Sequence, residues 1–211
     1  MNVPVISFYC DTDKSGYYKK ASERLSKNCG ELGIRHYIDE IPSKGSWIAN
    51  TKQKPVFILS KLKELQEPVL WLDVDQTIMQ PMTVIDTLDC DVAASRYRSD
   101  KRYNSGWHVR IGVIYFNHSP AAIRFLEQWI AACNRANENP NTADKKVPSA
   151  HPLFVSTWRD ARDNNWAKLH VLPYTYSDDP IHTDENTVIA VGLSGTESKL
   201  IWKKNNKQGY A

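Results

Sequence analysis

The 211-residue chain has no apolar run approaching the roughly 20 residues that a membrane-spanning helix requires. Cysteine is sparse: Cys10, Cys29, Cys90 and Cys133 are scattered, with no Cys-x-x-Cys pair and no histidine cluster beside them. That distribution argues against a structural zinc site and against a disulfide framework, and favours a reducing cytoplasm. Neither sign of charge dominates, since 27 Lys and Arg oppose 24 Asp and Glu for a net charge of +3. Such a balance is compatible with a polyanionic ligand but does not demand one. The opening Met1-Asn2-Val3-Pro4-Val5 lacks the basic start and long apolar centre of a secretion signal, and reads instead as the approach to a first strand. Internal repeats and low-complexity blocks are absent as well. What is present is 41% hydrophobic and 24% charged residues, an ordinary globular composition, over a length that suits one domain with its own core.

Strand and helix patterns alternate along the chain. Residues 3–9 read as a buried strand, 11–16 as a turn, and 17–29 as a helix with Tyr18, Ala21, Leu25 and Cys29 on one face. A second strand at 34–38 completes strand–helix–strand, the opening of a parallel sheet. Residues 39–51 are loop-like around an isolated Trp47. Lys54-Pro55 then opens a helix to residue 65, proline being tolerated in a first turn. Further on, 84–88 suggests a helical turn, 91–95 and 111–117 are strands, and Ser119-Pro120 starts a helix to Cys133. Residues 134–150 form a polar loop, 152–166 a helix, 169–173 a strand, 178–180 a turn and 188–191 a last strand; the basic residues 203–207 belong to a fraying tail.

One stretch organises the rest. Val69-Leu70-Trp71-Leu72 is apolar on both faces, as a strand in mid-sheet is, and it ends abruptly in Asp73-Val74-Asp75. The carboxylates emerge at the carboxyl end of that strand, where open α/β sheets bind their ligands. Two carboxylates this close repel each other unless a cation or a proton is shared between them. The plainer alternative is an exposed Asp-x-Asp turn.

In this order the parts resemble the GT-A nucleotide-diphospho-sugar glycosyltransferases, the superfamily marked by an Asp-x-Asp motif. The resemblance rests on the first strand ending in Phe8-Tyr9-Cys10-Asp11 and on the Lys-led helix 54–65 feeding the Asp73-Val74-Asp75 strand. It rests also on the strand Asp91-Val92-Ala93-Ala94, and on Gly112-Val113-Ile114-Tyr115-Phe116-Asn117 before a helix with Phe125, Leu126 and Trp129. It implies an α/β fold with a mixed, mostly parallel sheet flanked by helices. One catalytic domain would span 1–202, its donor half about 1–118 and its acceptor half about 119–202, with a basic tail at 203–211. The implied activity is metal-dependent transfer of a hexose or pentose from a nucleotide sugar. Mn²⁺ or Mg²⁺ suits hard carboxylate oxygens and would stabilise the diphosphate as a Lewis acid. By the same resemblance Asp75 ligates the metal, and Asp73 touches metal and ribose. Tyr9 flanks the base, Asp11 and Thr12 lie near base or ribose, and Lys54, Lys52 and Gly112 belong to the donor site.

The chain departs from that pattern at two places. The segment before the helix after the long loop reads Ser149-Ala150-His151-Pro152, without the acidic pair many relatives carry there. The late strand Val188-Ile189-Ala190-Val191-Gly192 lacks the histidine that often supplies a third metal ligand, leaving His182 as a substitute. Asp178, Asp179 and His151 are the candidates for a base that would activate an acceptor hydroxyl in an inverting reaction; a retaining reaction needs no base there. Two other readings stay open. Asp73-Val74-Asp75-Gln76-Thr77 also matches the first motif of haloacid-dehalogenase-type phosphatases, with Asp73 as nucleophile, Asp75 as general acid and Mg²⁺. The segment 96–110 interleaves Arg96, Arg98, Lys101, Arg102 and Arg110 with Tyr97, Tyr103 and Trp107, which suits a non-catalytic nucleotide-sugar or nucleic-acid binding module, or a nucleic-acid acceptor.

Overall fold

A computed structural model describes residues 1–10, 16–98, 109–138, 147–178 and 184–190. In chain order the elements are β1 (Val5–Tyr9), α1 (Tyr17–Glu31), β2 (His36–Glu40), α2 (Trp47–Thr51), α3 (Lys54–Leu65), β3 (Val69–Leu72) and β4 (Thr77–Ile78). A 3₁₀ turn (Thr83–Thr87) leads to β5 (Val92–Arg96), β6 (Val109–Phe116), α4 (Pro120–Glu138), α5 (Ala150–Asp163) and β7 (Leu169–Leu172). A second 3₁₀ turn (Tyr174–Ser177) precedes β8 (Ile189–Ala190).

Among the described residues six strands form one sheet in the order β2-β1-β3-β6-β5-β7, and of these only β6 runs against the rest. The architecture is thus the α/β, mixed and mostly parallel sheet expected from the sequence. All of β3 is buried between β1 and β6, which is why its residues are apolar on both faces. Its side chains alternate: Val69 and Trp71 enter the core under α3, α4 and α5, with Phe57, Leu62, Phe125, Trp129 and Phe154. Leu70 and Leu72 enter the opposite core, with Leu25 and Cys29 of α1 and Met82, Ile85 and Ile189. Each such side chain contributes about 1.5–3 kcal/mol of burial, so both faces hold the strand and its register.

Several elements differ from the sequence reading for physical reasons. The second strand begins two residues late because Ile34 closes the end of α1, its amide donating to the Cys29 carbonyl at 2.8 Å after Gly33 turns the chain at φ 62°. Residues 47–51, read as loop, form α2; Ser46 caps it by accepting from the Ala49 amide at 3.2 Å, and five residues are too few to show a periodic stripe. The helix read as ending at Cys133 continues to Glu138, and α5 starts at Ala150, two residues ahead of Pro152, which falls in the first turn. Ser119 caps α4, donating to Asp91 at 2.5 Å and accepting from the Ala122 amide at 3.1 Å, which pins the helix to the start of β5. β8 does not join the main sheet; it pairs antiparallel with β4, a two-residue strand that no pattern announced. The tail at 203–207 lies outside the described residues.

Candidate active site at the carboxyl end of the third strand

β3 ends by turning. The Asp73 amide makes one last bond to the Gly112 carbonyl at 2.8 Å, and the Gln76 amide then donates to the Asp73 carbonyl at 2.9 Å, closing a turn over Asp73-Val74-Asp75-Gln76. Val74 is buried at the tip and anchors the turn against the protein. Trp71 and Asp73, two residues apart, lie on one side of the chain, and the Trp71 indole N–H donates to Asp73 Oδ1 at 2.9 Å. Lys54, in the first turn of α3, reaches the same oxygen at 2.6 Å and also donates to the Ile111 carbonyl at 2.9 Å. Its ammonium lies 5.1 Å from the centre of the Trp71 ring. Lys54 is almost wholly buried, and a buried ammonium needs such partners. Two donors therefore converge on Oδ1 and fix the carboxylate. Oδ2 makes no hydrogen bond among the described residues.

Asp75 is in a different state. Burial, and secondarily the charge of Asp73, push its carboxyl up to about 6, while Lys54 and Arg24 pull the other way. A divalent cation would relieve both causes at once. Two hard carboxylates, one with a free oxygen and the other destabilised as an anion, are a chemically fitting start to an Mg²⁺ or Mn²⁺ site. Among the described residues no group of three or more His, Cys, Asp or Glu gathers there.

The turn opens into a cavity of about 230 Å³. Its lining includes aromatic rings, namely Tyr9 from the end of β1, Tyr18 from α1 and Trp47 from α2, together with Lys54, Asp73 and Asp75. The Tyr9 hydroxyl donates to Glu40 at 3.0 Å, which holds its ring at the cavity edge. Trp47 is 65% exposed, an unusual state for so large an apolar ring. The Asn50 carboxamide steadies the segment that carries it, accepting from the Lys44 amide at 2.6 Å and donating to Ser43 at 3.2 Å.

Of the residues singled out in the sequence, Tyr9, Lys54, Asp73 and Asp75 come together at this cavity. Lys52 does not join them: it is buried and donates to Asn137 of α4 at 2.6 Å, so it ties α4 to the chain ahead of α3. Gly112 sits across from Asp73, where a Cβ would stand 2.7 Å from Gln76 Nε2 and 3.5 Å from Asp73 Oδ2. Its part is to leave room for those two side chains. Asp178 is buried and accepts from Arg98 through both oxygens, at 3.1 and 2.7 Å, with Thr187 donating to one of them at 3.3 Å. Both oxygens of this carboxylate are thus engaged by side chains of the fold itself. His151, at the start of α5, uses Nε2 to donate to the Val109 carbonyl at 2.7 Å, and burial lowers its basicity, so it is neutral at pH 7. Asp11, Thr12, Asp179 and His182 lie outside the described residues. So do Lys101, Arg102, Tyr103 and Trp107 of the basic, aromatic segment; its Arg98 is engaged by Asp178 and its Arg110 donates to the Ser177 carbonyl at 2.6 Å.

Sequence reading missed Trp71, Tyr18 and Trp47 as site residues. Trp71 looked like core and is core by its ring, but its N–H serves the site; the i, i+2 spacing to Asp73 was the available signal. Trp47 had one too, as a lone aromatic in a polar segment.

No protein-family profile and no curated protein matches the chain. Solved structures do. One, described as a glycosyltransferase involved in glycosylation of the major capsid of PBCV-1, superposes with a TM-score of 0.65 at 14% identity, over 94% of this chain and 96% of that one. The glycosyltransferase GlyE of Streptococcus pneumoniae TIGR4 matches with a TM-score of 0.54 at 14% identity, over 92% of this chain and 55% of that one. Mouse xyloside xylosyltransferase 1 matches with a TM-score of 0.54 at 9% identity, over 93% and 99%. The chain thus spans nearly all of two of these structures and about half of GlyE. At such identities the likeness establishes the fold, which is the α/β, GT-A-like fold of these glycosyltransferases.

Proposed function

We propose that the protein is a glycosyltransferase that moves a sugar from a nucleotide-diphosphate donor, with a divalent cation held by Asp73 and Asp75. The observation that carries this reading is the Asp73–Gln76 turn, whose two carboxylates face an aromatic-lined cavity at the carboxyl ends of β1 and β3. Held by Asp73 and Asp75, such a cation would supply Lewis-acid stabilisation of the diphosphate leaving group. The protein's own residues do the rest. Tyr9, Tyr18 and Trp47 offer faces for a base or sugar ring. Lys54 and Trp71 hold Asp73 in one orientation, so its free oxygen is presented without a rotamer search. The buried Lys54 charge also adds positive potential where phosphate oxygens would lie.

The phosphatase alternative fits less well. Its motif belongs on the first strand of its domain, whereas β3 is the third strand in the chain and lies against an antiparallel β6. The acceptor is the open half of the proposal. Of the basic segment that a nucleic acid would use, Arg98 binds Asp178 and Arg110 donates to the Ser177 carbonyl.

A thermal-shift screen of UDP-, GDP-, CMP- and ADP-linked sugars, each with and without Mn²⁺, tests the reading directly. A donor at a hundredfold its dissociation constant stabilises the fold by about 2.7 kcal/mol, which such a screen resolves. Stabilisation that depends on both donor and Mn²⁺ is the expected result. A flat response to every donor would sink the proposal.

A further inference from the structure

Gln76 closes the turn that carries both aspartates, and its side chain is in an unusual position. The residue is only 1% exposed, yet its carbonyl oxygen Oε1 is buried without a hydrogen-bond partner. Buried polar side-chain atoms are nearly always satisfied, and an acceptor left bare is a cost the fold has no packing reason to carry. An apolar side chain of similar volume would fill the same space without that cost.

The geometry of the turn says where the amide lies. In a four-residue turn the first and last residues approach closely, so the side chains of Asp73 and Gln76 become neighbours. Gly112, on the adjacent β6, faces both: the point where its Cβ would stand is 2.7 Å from Gln76 Nε2 and 3.5 Å from Asp73 Oδ2. The amide therefore packs over a glycine beside the carboxylate oxygen that neither Lys54 nor Trp71 occupies. Its last torsion is soft and roughly two-fold, so either polar atom can face that oxygen. A neutral carboxamide oxygen is a hard donor of the kind that completes Mg²⁺ and Mn²⁺ sites, and it adds no charge to a site where two carboxylates already repel.

From this arrangement we infer that Gln76 supplies the third protein oxygen of the cation site, alongside Asp73 and Asp75, and that Gly112 is glycine to admit its amide. The inference rests on the cation reading above and adds the ligand that the histidine-poor late strand does not provide. A ligand in the same turn as the carboxylates needs no distant segment to close over the cation.

Mn²⁺ alone, titrated into the full chain and followed by the electron paramagnetic resonance of free Mn²⁺, tests it without donor or turnover. Gln76→Leu is expected to weaken Mn²⁺ binding about tenfold or more, of the order seen when groups that support a metal site are removed. The metal-free Leu variant should melt at or above the wild-type temperature, since the bare acceptor is gone, which shows that the weakened binding does not come from a damaged fold. Gln76→Glu should tighten binding, because an anionic oxygen replaces a neutral one. Gly112→Ala, which leaves all three oxygens in the sequence but displaces the amide, should weaken binding as Gln76→Leu does. If Asp73→Asn abolishes Mn²⁺ uptake while Gln76→Leu and Gln76→Glu bind as wild type, the cation site stands and the role of Gln76 is overturned. If the wild type takes up no Mn²⁺, both readings fall.

Discussion

Asp73 and Asp178 are both aspartates of short acidic motifs at strand or turn ends, and they finish in opposite electrostatic conditions. Asp178 is buried with both oxygens taken by Arg98 and Thr187, and its backbone amide donates to Ile189 at 3.0 Å, so it knits the region of β8 and the second 3₁₀ turn together. Asp73 spends one oxygen on Lys54 and Trp71 and keeps the other, while its neighbour Asp75 is left desolvated and short of positive charge. The first arrangement is closed and suits stability. The second is held open at a cost, which is what a ligand site requires. An acidic residue's role is thus set by how much of its hydrogen-bonding capacity the fold consumes.

Exchanging the two kinds of aspartate for alanine separates their roles most sharply. Asp75→Ala should lower sugar transfer and metal-dependent donor binding by about two orders of magnitude or more, with the fold intact; Asp73→Ala should do the same but also cost stability, because it leaves the buried Lys54 ammonium without its carboxylate. Circular dichroism and donor calorimetry on the same samples check this. Asp178→Ala should do the reverse: it takes away the carboxylate that binds Arg98 through both oxygens and removes a buried anchor, so the melting temperature falls by several degrees while donor affinity in the folded protein is kept. Loss of donor binding without loss of stability in Asp178→Ala would erase the contrast.

A third test concerns pH. The Asp75 carboxyl sits at about 6 in the fold against an ordinary 3.8, so the folded state holds this proton more tightly than the unfolded chain does. The group therefore takes stability away as pH rises from about 4 to about 6, and the full penalty is present above that window. Asp75→Asn should stabilise the metal-free protein at pH 7 by on the order of 2 kcal/mol, and the gain should vanish below about pH 4. Urea titrations of both proteins across that range are the measurement. The smallest effect is expected at the cavity rim. Trp47→Ala should weaken donor binding by about 1 kcal/mol through loss of a stacking face and leave the melting temperature unchanged, since the ring is mostly exposed already.

Much of what sets up this contrast is legible in the order of the residues. The run Val69-Leu70-Trp71-Leu72 suits a strand buried on both faces, and the aspartates after it then emerge at the strand's carboxyl end. The Ser119-Pro120 start of α4 and the Lys54-Pro55 start of α3 are equally plain, because caps and prolines act locally. Five-residue α2 and two-residue β4 are not, since neither is long enough to carry a period. Nor does the sequence distinguish Lys52 from Lys54. They are two residues apart with the same chemistry, but one is turned to α4 and the other to Asp73.

The sequence by itself determined the layered α/β fold, the mid-sheet place of β3 and the presence of paired carboxylates at its end, because hydrophobic period, capping and turn chemistry are short-range. Only the tertiary structure decided which charges are used up and which remain available. That Lys54 and Trp71 meet on one oxygen of Asp73, that Arg98 closes on Asp178 from 80 residues away, and that Gly112 clears a place for Gln76 all depend on strands brought together across the sheet. Electrostatic fate follows from burial and neighbours, and those exist only once the chain has folded.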